Sequence, residues 1–407
     1  MFNLLSKFQR FINKRKGTIW LLFYATNFKS LMYPCFMFSR ILGIFPYKID
    51  ALNIKACKLY YILSTIITCA ICICDTIIVF DININKKIKF KSISRLLERN
   101  CFYILSGSII VITFILSEPR RHLLQTVLKL SLKLPQKSYQ NLSRLIHAKD
   151  IFGFSFIIML AIYNLKIQGS ILGKITLVYI EMLVLQMDML YINCVCVIKA
   201  CFKQINDSLV NLRELMVNSE PYTLREINNE ERNTVILMEL KILKKQHMAI
   251  SDTIQMLNMI FTLQLLFTII KTFIFITFNL YFCLLRAQNT ESLNNLEKEI
   301  YYNTLIANVT FYITKIMLIV WACETSKNQA MEISTTIIDV SNSNNDKEIE
   351  YELELFSLQL MHRKNIFSAK GFTINAKFLT TMIGGVVTYL LILIQFLLMS
   401  NSCNAKI

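Results

Sequence analysis

Seven long apolar stretches, separated by charged connections, constrain this chain more than any other feature. A helix needs about 20 apolar residues, range ~17–25, to cross a hydrocarbon core ~30 Å thick. The stretches run over Cys57–Phe80, Cys101–Ser117, Ile151–Ile167, Ile175–Ile198, Ile254–Leu285, Asn303–Cys323 and Phe378–Ser400. They are rich in Ile, Leu and Phe, and the whole chain carries only nine glycines and five prolines, so they predict helices rather than the short alternating strands of a barrel. The expected fold is all-α: a polytopic membrane protein with seven transmembrane helices, solvated by lipid and without an internal repeat.

Net charge is +17. A soluble chain this basic would suggest nucleic acid, but here Lys and Arg fall mainly between the spans and read as topology signals, with no nucleic-acid partner implied. With the N-terminus inside, the inner connections hold 30 Lys and Arg, and the outer ones hold 11 when Lys166 at the edge of the third span is included. That asymmetry predicts a cytoplasmic N-terminus and an outer C-terminus. The first outer connection, "DININKKIKFKSISRLLERN", goes against the rule with six basic residues. Residues 1–56 then form a cytoplasmic segment whose start, "MFNLLSKFQRFINKRKG", is basic and amphipathic and suits an inner-leaflet surface better than a cleaved leader. Within it, Ser30–Tyr47 is an eighth apolar stretch. Arg40 is costly at a bilayer centre and Pro34 is expected to interrupt a helix, so this stretch reads as interfacial or re-entrant.

Residues 57–323 hold helices one to six, 324–377 an inner segment, 378–400 the last helix and 401–407 an outer tail. The fifth span exceeds what a bilayer needs. Between Lys199 and Thr253, apolar residues recur at helical steps: Ile205, Leu209, Leu212 and Leu215 to Met216, then Leu237, Leu240 and Leu243. Such stripes require partners, so the fourth, fifth and sixth helices are expected to extend below the membrane and pack together. "VSNSNNDKE" at Val340–Glu348 reads as a turn.

Motifs for enzymatic chemistry are lacking: the sequence has no GxSxG, HExxH or GxGxxG, and no cofactor or metal-binding pattern. The cysteines read as small apolar side chains, and "CAIC" at Cys69–Cys72 has no zinc or redox context. His122, His147, His247 and His362 lie in connections and read as partly exposed polar residues.

Polar residues inside the spans are more telling, because an intramembrane polar group faces a partner or a cavity rather than lipid. In the proposed orientation, the outer halves contain Tyr163, Asn164, Tyr179, Glu181, Asn279, Tyr281, Asn308 and Tyr312, which could line a pocket for a small molecule. Alternatively, Lys271 or Lys315 pairs with Asp188 and the Asn and Tyr side chains bond across helices. In the last span, Thr388 and Gln395 are seven residues apart and share a face with Ile392 and Met399. Such a stripe either bonds a neighbouring helix or, where several copies meet, lines a narrow wet path.

That span contains "TYLLILIQF", Thr388–Phe396, which resembles the TYhhhhhQF signature (h, hydrophobic) of insect gustatory receptors, relatives of insect odorant receptors. "FSLQLMHRKNIFSAKGFTINAKF" resembles the inner segment of the same family through Phe356, Gln359, Leu360, Phe367, Ala369, Gly371 and Phe372. "LGIFPY" from Leu42 and "LNMIFTLQLL" from Leu257 are similar to its lead-in to the first span and to its fifth span. Asn375 departs from the family's frequent Asp. The resemblance implies a ligand-gated, nonselective cation channel: a homo- or heterotetramer of related chains, opened by a small tastant and placed in the plasma membrane. It further implies subunit contacts in an inner anchor around Phe356, Gln359, Phe367 and Gly371, and a pore along the last helix with Gln395 and Phe396 near the gate. Thr388, Ile392 and Met399 would continue that wall. Leu390, where sweet-taste members often carry Glu, leans against a sugar. A G-protein-coupled receptor is the alternative, at odds with the charge count and lacking DRY and NPxxY; a transporter is the third reading.

Overall fold

A computed structural model describes residues 23–50, 53–85, 92–166, 171–217, 229–288, 295–343 and 346–404, with 163–166, 217, 229–230, 286–288, 295–301 and 400–404 given in backbone only. Seven of its helices are long and apolar enough to cross a membrane. The basic starting stretch, residues 1–17, and four of the six basic residues of the first outer connection, Lys86, Lys87, Lys89 and Lys91, lie outside the described residues.

The first helix, α1 (Phe28–Ile41), starts at a reciprocal capping box between Asn27 and Ser30 and runs through Pro34. The expected break at Pro34 is therefore corrected, and the reason is tertiary. Gln186 Nε2 donates to Cys35 O at 2.7 Å and to Ser39 Oγ at 2.7 Å, and His147 Nε2 donates to Leu31 O at 2.8 Å. Phe28, Leu31, Met32, Cys35 and Phe36 are buried on the same helix. The contacts of α1 are with the neighbouring helices described next, so it belongs to the bundle.

An antiparallel hairpin follows, β1 (Tyr47–Ile49) with β2 (Ile54–Ala56), in register Tyr47 to Ala56. Then come α2 (Lys58–Asn83), α3 (Ile93–Ile115), α4 (Ser117–Ser131) and α5 (Gln136–Lys166). Three long helices dominate: α6 (Ile171–Val217), α7 (Asn229–Gln288) and α8 (Asn295–Ser341), of 47, 60 and 47 residues. At a rise of ~1.5 Å per residue, α7 is about 90 Å long, some three times a hydrocarbon core. The chain closes with α9 (Lys347–His362), capped by Asp346, a second hairpin of β3 (Ser368–Ala369) and β4 (Phe372–Thr373), and α10 (Ala376–Asn404).

The stripes read from the sequence do find partners. Ile205, Leu209 and Leu212 on α6, and Leu240 and Leu243 on α7, are buried in one core that runs on into the membrane-length part, whereas Leu215 is 61% exposed. Thr336 on α8 donates to Asn206 at 2.6 Å, tying the same extensions together through a polar contact. One expectation for the connections fails: His147 and His247 are fully buried rather than partly exposed, because neighbouring elements pack over α5 and α7 at those positions.

Truncating a buried apolar side chain forfeits its transfer energy and leaves a cavity. Leu209→Ala is expected to cost about 2–5 kcal/mol, against about 0.5 kcal/mol or less for the exposed Glu214→Ala. Thermal unfolding of the detergent-solubilised protein checks the contrast.

Candidate functional site

The last helix rests on α7 by one face. Gly385 allows close approach: a Cβ there would lie 3.1 Å from Phe273, and Tyr389 packs edge-on against the same ring with centroids 5.6 Å apart. Val386 is buried, and Leu390 and Leu393 pack on Phe278, Tyr281, Phe282 and Leu305. The other face is uncovered within the chain. Only 11% of the apolar window of α10 is buried, against 67% for α6. Thr388, Ile392, Gln395 and Met399 all lie on this exposed side, with Phe396 beside them at 68% exposure. Thr388 Oγ1 donates to Gly384 O, one turn back on its own helix, at 2.9 Å.

A polar seam on α7 grips the segment that leads into α10. Asn258 Nδ2 donates to Ile366 O at 2.7 Å and its Oδ1 accepts from Ser368 N at 3.2 Å, so one amide side chain pairs with the backbone on both sides of Phe367. Arg363 pairs with Asp252 at 2.9 Å. His247 lies between Phe202 and Phe356, ring centroids 5.8 Å from each. Gln359 Nε2 donates to Lys244 O at 3.0 Å, which fixes its amide, and it meets His247 Nδ1 at 3.0 Å. The ring therefore accepts at Nδ1. The β3–β4 turn places Lys370 at φ +39° and Gly371 at φ +94°, the two positive values of a tight hairpin turn, which explains the glycine. Phe356, Phe367 and Ala369 are buried. Four residues singled out in sequence, Phe356, Gln359, Phe367 and Gly371, thus belong to one structure on α7, whereas Asp252 and His247 carried no motif of their own and Asn258 stood within the fifth-span motif without a role assigned to it.

Charges buried in the membrane-length part form two layers between α6, α7 and α8. Glu181 pairs with Lys271 at 2.9 Å and accepts from Tyr312 Oη at 2.7 Å. Two turns along, Asp188 pairs with Lys315 at 3.2 Å and accepts from Gln264 at 3.3 Å and Thr268 at 3.1 Å. Neither lysine ammonium is aligned for a hydrogen bond, so these are contacts of charge, and Lys271 also lies 4.4 Å over the Phe102 ring. Of the eight pocket candidates, Glu181 and Tyr312 come together. Tyr179 turns away and donates to Leu42 O at 2.6 Å. Asn279 donates to Phe275 O on its own helix at 2.7 Å, and Tyr281 packs in the cluster beneath α10. Asn308 is half-buried on α8, and the side chains of Tyr163 and Asn164 lie outside the described residues. A cavity of about 340 Å³ lies elsewhere, lined by Lys133 and by Gln204, Val235, Met238 and Ile242 of the helical extensions. Among the described residues no group of His, Cys, Asp and Glu could hold a metal ion.

A family model described as 7tm chemosensory receptor matches residues 32–400. The chain belongs to the 7tm chemosensory receptor family. Among its relatives, gustatory receptor 28a of Drosophila melanogaster is 30% identical over 158 residues, 39% of this chain and 35% of the relative. Gustatory receptor 28b of the same organism is 27% identical over 221 residues, 48% and 47% of the two chains, and gustatory receptor 23a is 35% identical over 83 residues, 20% and 22%. These matches span less than half the length of each relative. In three dimensions the chain is similar to the insect olfactory receptor OR5 from Machilis hrabei, solved alone and in complex with eugenol. That fold match has a TM-score of 0.66 at 11% identity and covers 90% of this chain and 97% of the other. The family accounts for the seven spans and comprises receptors rather than enzymes.

Two outcomes follow for this chemosensory receptor. Asp188→Leu removes the partner of a buried ammonium and is expected to cost about 3–5 kcal/mol, most of it recovered in the Asp188→Leu/Lys315→Met double variant; thermal unfolding of the four-member cycle measures this. Asn258→Ala removes two bonds to the 366–368 backbone, each worth about 0.5–1.5 kcal/mol. Trypsin should then cut after Arg363 or Lys364 several-fold faster, with the remaining sites unchanged.

Proposed function

We propose that the chain is a subunit of a gustatory-type, ligand-gated cation channel, opened by a small tastant that is not a sugar. Four copies, identical or related, place α10 around a common axis, with the N-terminus inside the plasma membrane and the C-terminus outside. The observation that carries this reading is the exposed stripe Thr388, Ile392, Gln395 and Met399 on an apolar helix whose lead-in is clamped to α7. The gustatory relatives support taste as the modality, and the bound eugenol of the olfactory receptor supports a small organic ligand.

The ligand acts among the third to sixth spans, near the Glu181, Lys271 and Tyr312 layer. It must bind the open arrangement better than the closed one, since equal affinity shifts no population. Gln395 supplies a polar ring for partly hydrated cations; Ile392, Phe396 and Met399 are the apolar closure. The anchor around Phe356, Gln359, Phe367 and Gly371 holds the copies together.

Gln395→Ala, expressed alone or with partner receptors, is expected to change relative cation permeability or basal current while surface assembly stays normal. Single-channel behaviour indistinguishable from the wild type would remove Gln395 from the conduction path.

A further inference from the structure

A second apolar stripe on the helical extension of α7 is left uncovered by the described residues. Leu240 and Leu243 face the core, but Val235 and Met238 are each 64% exposed and Ile242 is 41% exposed. Their spacing, i, i+3 and i+7, puts the three on one face of the helix. That face is one wall of the cavity of about 340 Å³, whose other walls are Gln204 and Ser208 on α6 and Lys133 in the turn between α4 and α5. An open groove between two helices, with an apolar stripe along one lip, suits the apolar face of a third helix.

The same chain supplies such a face. Residues 1–22 precede the first described residue, Phe23, and within them Leu5, Phe8 and Ile12 repeat the spacing i, i+3 and i+7. At helical periodicity Leu4 and Phe11 widen that face, while Lys7, Arg10 and Lys14 fall on the opposite one. Each stripe is about 10 Å long at a rise of ~1.5 Å per residue. Reach agrees as well. Phe23 O accepts from Ser143 Oγ at 2.8 Å, so the chain enters the described structure beside α5. Ser143 lies about 10 Å of helix from Gln136, where α5 starts, and Lys133 at the groove is at most about 10 Å beyond. Residues 17–22, extended, span about 20 Å and close that distance. An inner-leaflet surface would cover Leu5, Phe8 and Ile12 but leave Val235, Met238 and Ile242 bare, whereas one contact between the stripes covers both. We propose that residues 3–16 dock as an amphipathic helix in the groove between α6 and α7, with Leu5, Phe8 and Ile12 against Val235, Met238 and Ile242.

The test uses the full chain in lipid nanodiscs, with the photo-crosslinking residue p-benzoylphenylalanine in place of Phe8. Irradiation should join that position to residues 235–246 of the same chain, as mapped by peptide mass spectrometry on the monomer band. Adducts confined to lipid, to a second copy or to another part of the chain overturn the docking. A second measurement follows alkylation of Met238→Cys, read at its own peptide so that the native cysteines do not interfere; Met238 is exposed, so the substitution leaves the core intact. Adding Phe8→Asp and Ile12→Asp should raise the rate roughly tenfold by releasing the docked helix. An unchanged rate overturns the proposal. Neither readout depends on channel activity, so the inference stands or falls apart from the proposed function.

Discussion

The polar face of α7 is the constraint on which the other elements depend. Along its length of about 90 Å this helix carries His247, Gln264, Thr268 and Lys271 in buried positions and Asn258 in a partly buried one. Each is answered by a different element: α9 at His247, the lead-in to the last helix at Asn258, and α6 at Gln264, Thr268 and Lys271. An unbroken helix transmits displacement along its axis with little loss. A change at the Lys271 layer and a change at the Asn258 clamp are therefore displacements of one body.

The buried ion pairs set register more than stability. Removing two charges from water costs several kcal/mol per ion, which their attraction repays only in good geometry. Apolar residues of similar volume could hold α6, α7 and α8 together as firmly, but would tolerate a slip by one turn. Glu181 and Asp188, seven residues apart on α6, each meet a lysine from a different helix, Lys271 on α7 and Lys315 on α8, and a slip would strand both. Charge thus defines a single alignment for three helices whose apolar contacts are otherwise interchangeable.

Much of this architecture was legible because lipid and water impose periodicities that a single strand of sequence displays. The seven spans and the helical extensions carrying Leu209 and Leu243 fall in this class. Asp188 with Lys315 did too, since an intramembrane acid invites a base. What was illegible depends on contacts between segments distant in sequence. Pro34 looked like a break because its own helix loses a bond there; the side chains that hold α1 in the bundle, Gln186 and His147, lie more than 100 residues away. His247 looked exposed because its segment is charged, and burial came from Phe202 and Phe356 closing on it. Asn258 stood in a stretch resembling the family's fifth span, but its role was illegible, since one amide in an apolar run becomes informative only when the backbone of 366–368 is placed against it.

The stripe on α10 can now be weighed on energy. From spacing, Thr388 and Gln395 could have been glue to a neighbouring helix of the same chain. The neighbouring helix is α7, and it meets the face of Gly385, Val386 and Tyr389 instead. Thr388 satisfies its hydroxyl on Gly384, an arrangement that suits either lipid or water. Gln395 has no such recourse: an amide without a hydrogen bond in an apolar medium costs about 2–7 kcal/mol, and on an exposed helix face nothing among the described residues offsets that. Lipid is the poorest surrounding for it. Water, or the same residue from other copies around an axis, is the better one, and this preference supports the proposed placement of α10 along a pore.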